Sequence, residues 1–123
     1  MRIAAAQSPS IPGDLAANLE IHCRFIQAAA EAAVDILVFP ELSLSGYELA
    51  QLSNCTVQPD DGLLAPIRHL ARAHSMTVVL GAPIISDSPR PYIGAISCFP
   101  DGRVTVYCKQ YLDSSEVAFA TQG

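Results

Sequence analysis

Three residues carry the chemistry that this sequence offers: Glu41, Lys109 and Glu116. Glu41 stands in the stretch DILVFPELSLSGYE, directly after the proline that ends an apolar run. A carboxylate in that position is expected to be partly desolvated, which raises its pKa and makes it a better proton acceptor near neutral pH. Lys109, in VYCKQYL, is the only lysine of the chain, the other six basic residues all being arginine. Glu116 follows it in CKQYLDSSE. Brought together, two carboxylates and one ammonium let one glutamate act as a general base while the lysine stabilises developing negative charge. The bland alternative is a solvated loop carboxylate and a lysine that is alone by compositional accident.

The elements that must position these residues alternate between apolar runs and helical stripes, the order of an α/β fold. RIAAAQ (residues 2–7) reads as a short buried strand, and the breakers SPSIPGD follow it, with Asp14 as the expected N-cap of a helix. Leu15, Leu19, His22, Ile26, Ala29 and Ala33 then recur at helical spacing, with Glu20, Arg24, Gln27 and Glu31 on another face. His22 lies on the apolar stripe with no second ligand at helical spacing, so it is expected to be a core histidine rather than a metal ligand. DILVF is a buried strand of the kind covered on both faces, and Pro40 closes it because proline cannot donate to a ladder.

DDGLLAPIRHLARAHS supplies a second helix, with Leu63, Ile67, Leu70 and His74 expected on one side and Pro66 confined to the first turn. MTVVLGAPII is a further strand. YIGAISCF and VTVYCKQYL flank the turn sequence PDGR and predict a hairpin. Ligands of α/β folds gather beyond the carboxyl ends of parallel strands, which is where Glu41 falls.

Composition removes several classes. Half of the residues are hydrophobic and only 15% are charged, so 123 residues can bury a core. Twelve acids against seven bases give a net charge of −5, which disfavours a nucleic-acid backbone and leaves no basic patch for an anionic membrane. The N-terminus lacks the apolar core of a signal peptide, and no run reaches the ~20 residues of a membrane span. Cys23, Cys55, Cys98 and Cys108 are too widely spaced for a CxxC metal clip or a secreted disulfide framework, and read as free thiols of a cytoplasmic protein. Cys55, in the loop QLSNCTV, is the thiol expected to be most exposed, while Cys23 and Cys98 sit in apolar patterns. No metal and no cofactor is expected.

At these residues the sequence resembles the nitrilase, or carbon–nitrogen hydrolase, superfamily, whose members hydrolyse non-peptide amides, nitriles, ureido compounds and related C–N bonds. RIAAAQ with GDLAANLE is similar to the opening strand and helix of that family, LVFPELSLSGYE to its glutamate motif and YCKQYLDSSE to its lysine motif. The resemblance implies a four-layer α–β–β–α sandwich of which residues 1–123 supply roughly the first half. It also implies Glu41 as general base, Lys109 as stabiliser of a tetrahedral intermediate, and Glu116 as the carboxylate that positions base or substrate.

Tyr47 follows the base closely, either lining the substrate pocket or packing with its hydroxyl at the surface. The family nucleophile is a cysteine some tens of residues past the lysine, and none of the four cysteines here matches it. Cys108 neighbours Lys109, but consecutive strand residues point to opposite faces.

The expected function is therefore hydrolysis of a small-molecule amide, nitrile or ureido compound, with the nucleophile outside this chain. A half-sandwich leaves apolar faces open at about 25 cal/mol per Å², so a homo-oligomer or the remaining half of the domain is the expected partner. The competing classes are a non-catalytic binding or assembly module built on the same fold, and a doubly wound nucleotide binder. The second of these lacks any GxGxxG or P-loop.

Overall fold

A computed structural model describes residues 1–123 as one five-stranded sheet in the order β1-β2-β3-β4-β5. The strands are β1 (Ile3–Ala5), β2 (Ile36–Val38), β3 (Thr77–Ile84), β4 (Tyr92–Cys98) and β5 (Val104–Cys108). β1, β2 and β3 are parallel, joined by the crossover helices α1 (Leu15–Glu31) and α2 (Ala65–Ala73). β3, β4 and β5 are antiparallel, and the last two form the hairpin that PDGR predicts.

Asp14 caps α1 as expected, its side chain accepting from Ala17 N at 3.0 Å. The helix ends two residues before Ala33, which adopts a left-handed φ of 56°. The Ala33 and Val34 N–H groups return to the carbonyls of Ala30 and Ala29, closing the helix end without a glycine. Pro66 lies in the first turn of α2, where its missing N–H costs nothing. A short 3₁₀ turn over Gly62–Leu64 precedes that helix and shifts its inward face, so Leu64, Ile67 and Ala71 are buried. His74, expected on that face, instead ends the helix and is exposed.

Both helices pack on one face of the sheet. Ile26 and Ala29 of α1, Ile67 and Ala71 of α2, and the inward residues Leu37, Val78, Leu80, Ile96 and Cys98 make one continuous core. β1, β2 and β5 therefore bury one face, not two, whereas residues 81–84 of β3 and Ile93 of β4 are buried on the other face as well. Ile3 is 64% exposed and Tyr107 58%, both on the face away from the helices. The expectation of fully buried first and second strands is corrected accordingly: their β-branched residues line an apolar face that nothing in this chain covers.

A second small cluster of Leu42, Leu52, Ile93 and Ala120 ties the segment after β2 to the segment after β5. No helix is long and apolar enough to cross a membrane.

Candidate active site

Glu41 sits where the β2–β3 ladder is interrupted. Phe39 N donates to Val79 O at 2.8 Å, and regular pairing returns only with Leu44 N to Gly81 O at 2.9 Å. Between them Pro40 to Ser43 form a turn closed by Ser43 N donating to Pro40 O at 3.1 Å, with Glu41 on its outer side. Leu42 adopts a φ of 53°, an unfavourable conformation for a branched side chain. Complete burial of that side chain in the second cluster holds it there.

Lys109 follows β5, and its N–H extends the hairpin ladder by donating to Ile93 O at 2.8 Å. Strand alternation puts Lys109 on the face of Tyr107 and Cys108 on the other, as the sequence predicts. Glu116 belongs to a tight turn in which Glu116 N donates to Asp113 O at 2.9 Å, and Asp113 N returns a bond to Glu116 Oε1 at 2.8 Å. The bonds from Phe119 N and Ala120 N to Glu116 O extend this turn into the second cluster.

These three segments bring all three predicted residues together. Lys109 Nζ lies 2.8 Å from Glu41 Oε1 and 3.1 Å from Glu116 Oε1. The Tyr47 hydroxyl donates to Glu116 Oε2. The two carboxylates differ in environment: the Glu116 side chain is 1% exposed, that of Glu41 44%. The desolvation expected at Glu41 is thus found at Glu116 instead, because the turn lifts Glu41 away from the sheet while the 109–120 segment folds over Glu116.

Burial acts to raise the Glu116 pKa, but donors from Tyr47, Asp113 N and Lys109 outweigh it, and the group is held below the usual carboxylate range. The hydrogen bond to Glu41 is the main reason Lys109 is held well above the ordinary lysine value, with Glu116 adding to it against a desolvation cost. Near neutral pH Lys109 is thus held as a cation and Glu116 as an anion. The same bond to Glu116 raises the Tyr47 phenol.

An apolar groove of about 250 Å³ runs from this cluster along the open face of the sheet, lined by Val38, Val79, Ala95 and Tyr107 with Glu41 and Lys109 at its end. A larger open hollow of about 520 Å³ beside Arg90 and Tyr111 includes neither Glu41 nor Lys109.

All four cysteines are free, and burial raises the pKa of each thiol. Cys55 is 2% exposed with Sγ 3.8 Å from Gly13 O, contrary to the expectation of an exposed thiol. The short helix over Leu49–Asn54 turns it inward. His22 is the core histidine expected, with both ring nitrogens partnered, by Asn18 O at 2.6 Å and Ser43 Oγ at 2.8 Å. Sequence reasoning missed Asn18 and Ser43. Polar residues on a helical stripe and in a turn give no signal of burial unless the contact between α1 and that turn is known.

The carbon–nitrogen hydrolase family model matches residues 2–117. The chain belongs to the carbon–nitrogen hydrolase family. A cysteine-to-alanine mutant of the amidase from Nesterenkonia sp. AN1 in complex with butyramide superposes with a TM-score of 0.84 at 28% identity, covering 100% of this chain and 48% of that one. A glutamate-to-leucine mutant of the same amidase, showing covalent addition of the acetamide moiety of fluoroacetamide at the active site cysteine, gives 0.84 at 26% identity with the same coverage. XC1258 from Xanthomonas campestris, a CN-hydrolase superfamily protein, shares the fold with a TM-score of 0.86 at 20% identity, over 99% of this chain and 46% of its own.

A Pseudomonas protegens protein named hydrolase in pqqF 5′ region is 37% identical over 86 residues, 68% of this chain and 29% of that protein. The carbon–nitrogen hydrolase chain described here thus has the nitrilase fold and spans about half the length of the amidase chains it matches.

Proposed function

We propose that this chain carries the general base and the charge-stabilising half of a carbon–nitrogen hydrolase site, acting on a small non-peptide amide, nitrile or ureido compound, with a cysteine nucleophile from beyond these 123 residues. The observation that carries the reading is the single ammonium of Lys109 held 2.8 Å from an accessible carboxylate and 3.1 Å from a buried one.

Glu41 is the carboxylate with room to exchange a proton. It accepts the thiol proton, the thiolate attacks the carbonyl or nitrile carbon, and the π electrons move to oxygen or nitrogen. Lys109 has three donors, of which Glu41 and Glu116 occupy two, and the third is available to the developing anion. For an amide, protonated Glu41 then returns its proton to the leaving amine, and water hydrolyses the thioester with Glu41 again as base. Glu116, saturated by Lys109, Tyr47 and Asp113 N, positions the ammonium. Tyr47, 49% exposed beside it, reaches toward substrate. No step calls on a cofactor.

Support from relatives is of the same kind: the Nesterenkonia amidase complexes hold an amide and a covalent acetamide adduct at a cysteine. The four free thiols fit a reducing, cytoplasmic setting. The open apolar face fits a covering layer, from a second copy or from the rest of the domain.

The test is ammonia release from butyramide, a simple nitrile and a ureido acid by the full gene product, wild type and Glu41→Gln. Turnover of at least one substrate class is expected, with the variant reduced by about 10²–10⁴-fold. A folded Glu41→Gln enzyme with wild-type turnover would remove the base from this reading.

A further inference from the structure

Beneath the Glu41 turn lies a buried polar chain that the chemistry above does not use. His22 is 1% exposed and stacks against Phe39 with ring centroids 4.2 Å apart. Its Nδ1 lies 2.6 Å from the Asn18 carbonyl oxygen, which can only accept, so Nδ1 carries the proton. Burial lowers the His22 pKa with the Asn18 carbonyl as the only opposing influence, so the ring is neutral and Nε2 is an acceptor. The Ser43 hydroxyl, 2.8 Å away, therefore donates to Nε2. Its oxygen then accepts the Gly81 N–H at 3.1 Å.

This last bond falls inside the gap in the β2–β3 ladder, where the chain leaves the sheet to present Glu41. The hydroxyl takes the place of the strand carbonyl that a continued β2 would have offered to Gly81, and so fixes the returning end of the turn to β3. Asn18 secures the next residue along, donating to Leu44 O at 2.8 Å.

We propose that His22 and Ser43 are positioning residues for Glu41: the imidazole orients the Ser43 hydroxyl, the hydroxyl holds Gly81, and the turn so anchored keeps the Glu41 carboxylate against Lys109. The catalytic meaning rests on Glu41 as base, but the positional claim does not.

The sole lysine allows a direct test on the 123-residue chain. N-acetoxysuccinimide acetylates only the Lys109 amine and the Met1 amine, and peptide mass spectrometry gives the ratio of the two rates. Glu41→Gln sets the rate for a lysine without its main partner. Ser43→Ala and His22→Phe are each expected to raise the Lys109 rate toward that limit, by at most about tenfold for every unit its pKa falls, since the free-amine fraction grows while its nucleophilicity declines. Ser43→Thr, which keeps the hydroxyl, should restore the wild-type ratio. Ile26→Val, which removes a buried methyl from the same helix, should leave it unchanged.

Unaltered ratios in folded Ser43→Ala and His22→Phe, beside a raised one in Glu41→Gln, overturn the proposal. An Ile26→Val increase as large as theirs does so too, by showing general loosening. A Glu41→Gln ratio equal to wild type sinks the shared site itself, whereas loss of turnover alone bears only on the catalytic reading.

Discussion

A Cβ placed on Gly81 would stand 2.3 Å from the Leu42 nitrogen and 2.7 Å from the Pro40 carbonyl oxygen. The turn that presents Glu41 thus rests on a strand position without a side chain, and the contact is with backbone that cannot rotate away. Gly81→Ala is expected to lift the turn, strain the already left-handed Leu42 and part Glu41 from Lys109. Overpacking of this kind costs about 1–3 kcal/mol. Urea denaturation should show that loss, and Lys109 acetylation should accelerate. An unchanged midpoint together with an unchanged acetylation rate would mean that the loop adapts at no cost.

Glu41→Gln and Lys109→Ala should both abolish most turnover in the full gene product but differ in stability. Glu41 is 44% exposed, so its amide analogue remains hydrated. Removing Lys109 leaves Glu116, 1% exposed, with the Tyr47 hydroxyl and Asp113 N but no cation. The expected result is two variants with wild-type circular dichroism and turnover down by about 10²–10⁴-fold, of which only Lys109→Ala has a clearly lowered urea midpoint. Substantial activity in folded Lys109→Ala would make the sole lysine structural.

The positions of these side chains were legible in the sequence to different depths, and the reasons are physical. Pro40 ending an apolar run and Lys109 ending another are local signals, and a carboxylate or ammonium at a strand end needs no tertiary information to be noticed. Alternation along β5 was enough to send Cys108 away from Lys109. Which carboxylate is buried was not legible, because that depends on the 109–120 segment folding over Glu116. The inward turn of Cys55 and the Asn18–His22–Ser43 chain arise from contacts between segments far apart in sequence. Coverage of β1 and β2 was overestimated for the same reason: a β-branched run is alike whether its second face meets a helix, another sheet or water.

Acid should unfold the protein in two windows. The folded-state pKa of His22 lies below its unfolded value of about 6.5, so the unfolded chain binds the proton first. Its contribution is complete above pH 6.5 and declines as pH falls through the folded pKa. Glu116 is also depressed, from an ordinary value near 4.3, so its contribution is present above that pH and is lost in stronger acid. Urea midpoints measured from pH 8 to pH 3 should fall in both ranges. His22→Phe should flatten the upper one and Glu116→Gln the lower. Parallel curves for wild type and His22→Phe between pH 6.5 and 5 would show that folding does not lower the imidazole pKa.

The last expectation concerns the nucleophile. A thiol attacks as thiolate, and burial raises the pKa of all four thiols here, with Cys98 and Cys55 nearly inaccessible and Cys108 on the face opposite Lys109. Incubation of the 123-residue chain with fluoroacetamide at neutral pH should therefore leave its intact mass unchanged. If the reading frame extends past Gly123, it should encode a cysteine after a short apolar strand within a few tens of residues. The extended protein carrying Glu41→Leu should then gain the mass of one acetamide moiety with loss of fluoride, as the glutamate-to-leucine mutant of the Nesterenkonia amidase does, and lose that reactivity when this cysteine becomes alanine. A stoichiometric adduct on Cys23, Cys55, Cys98 or Cys108 in the shorter chain would instead put the nucleophile inside these residues and require a different arrangement around Glu41.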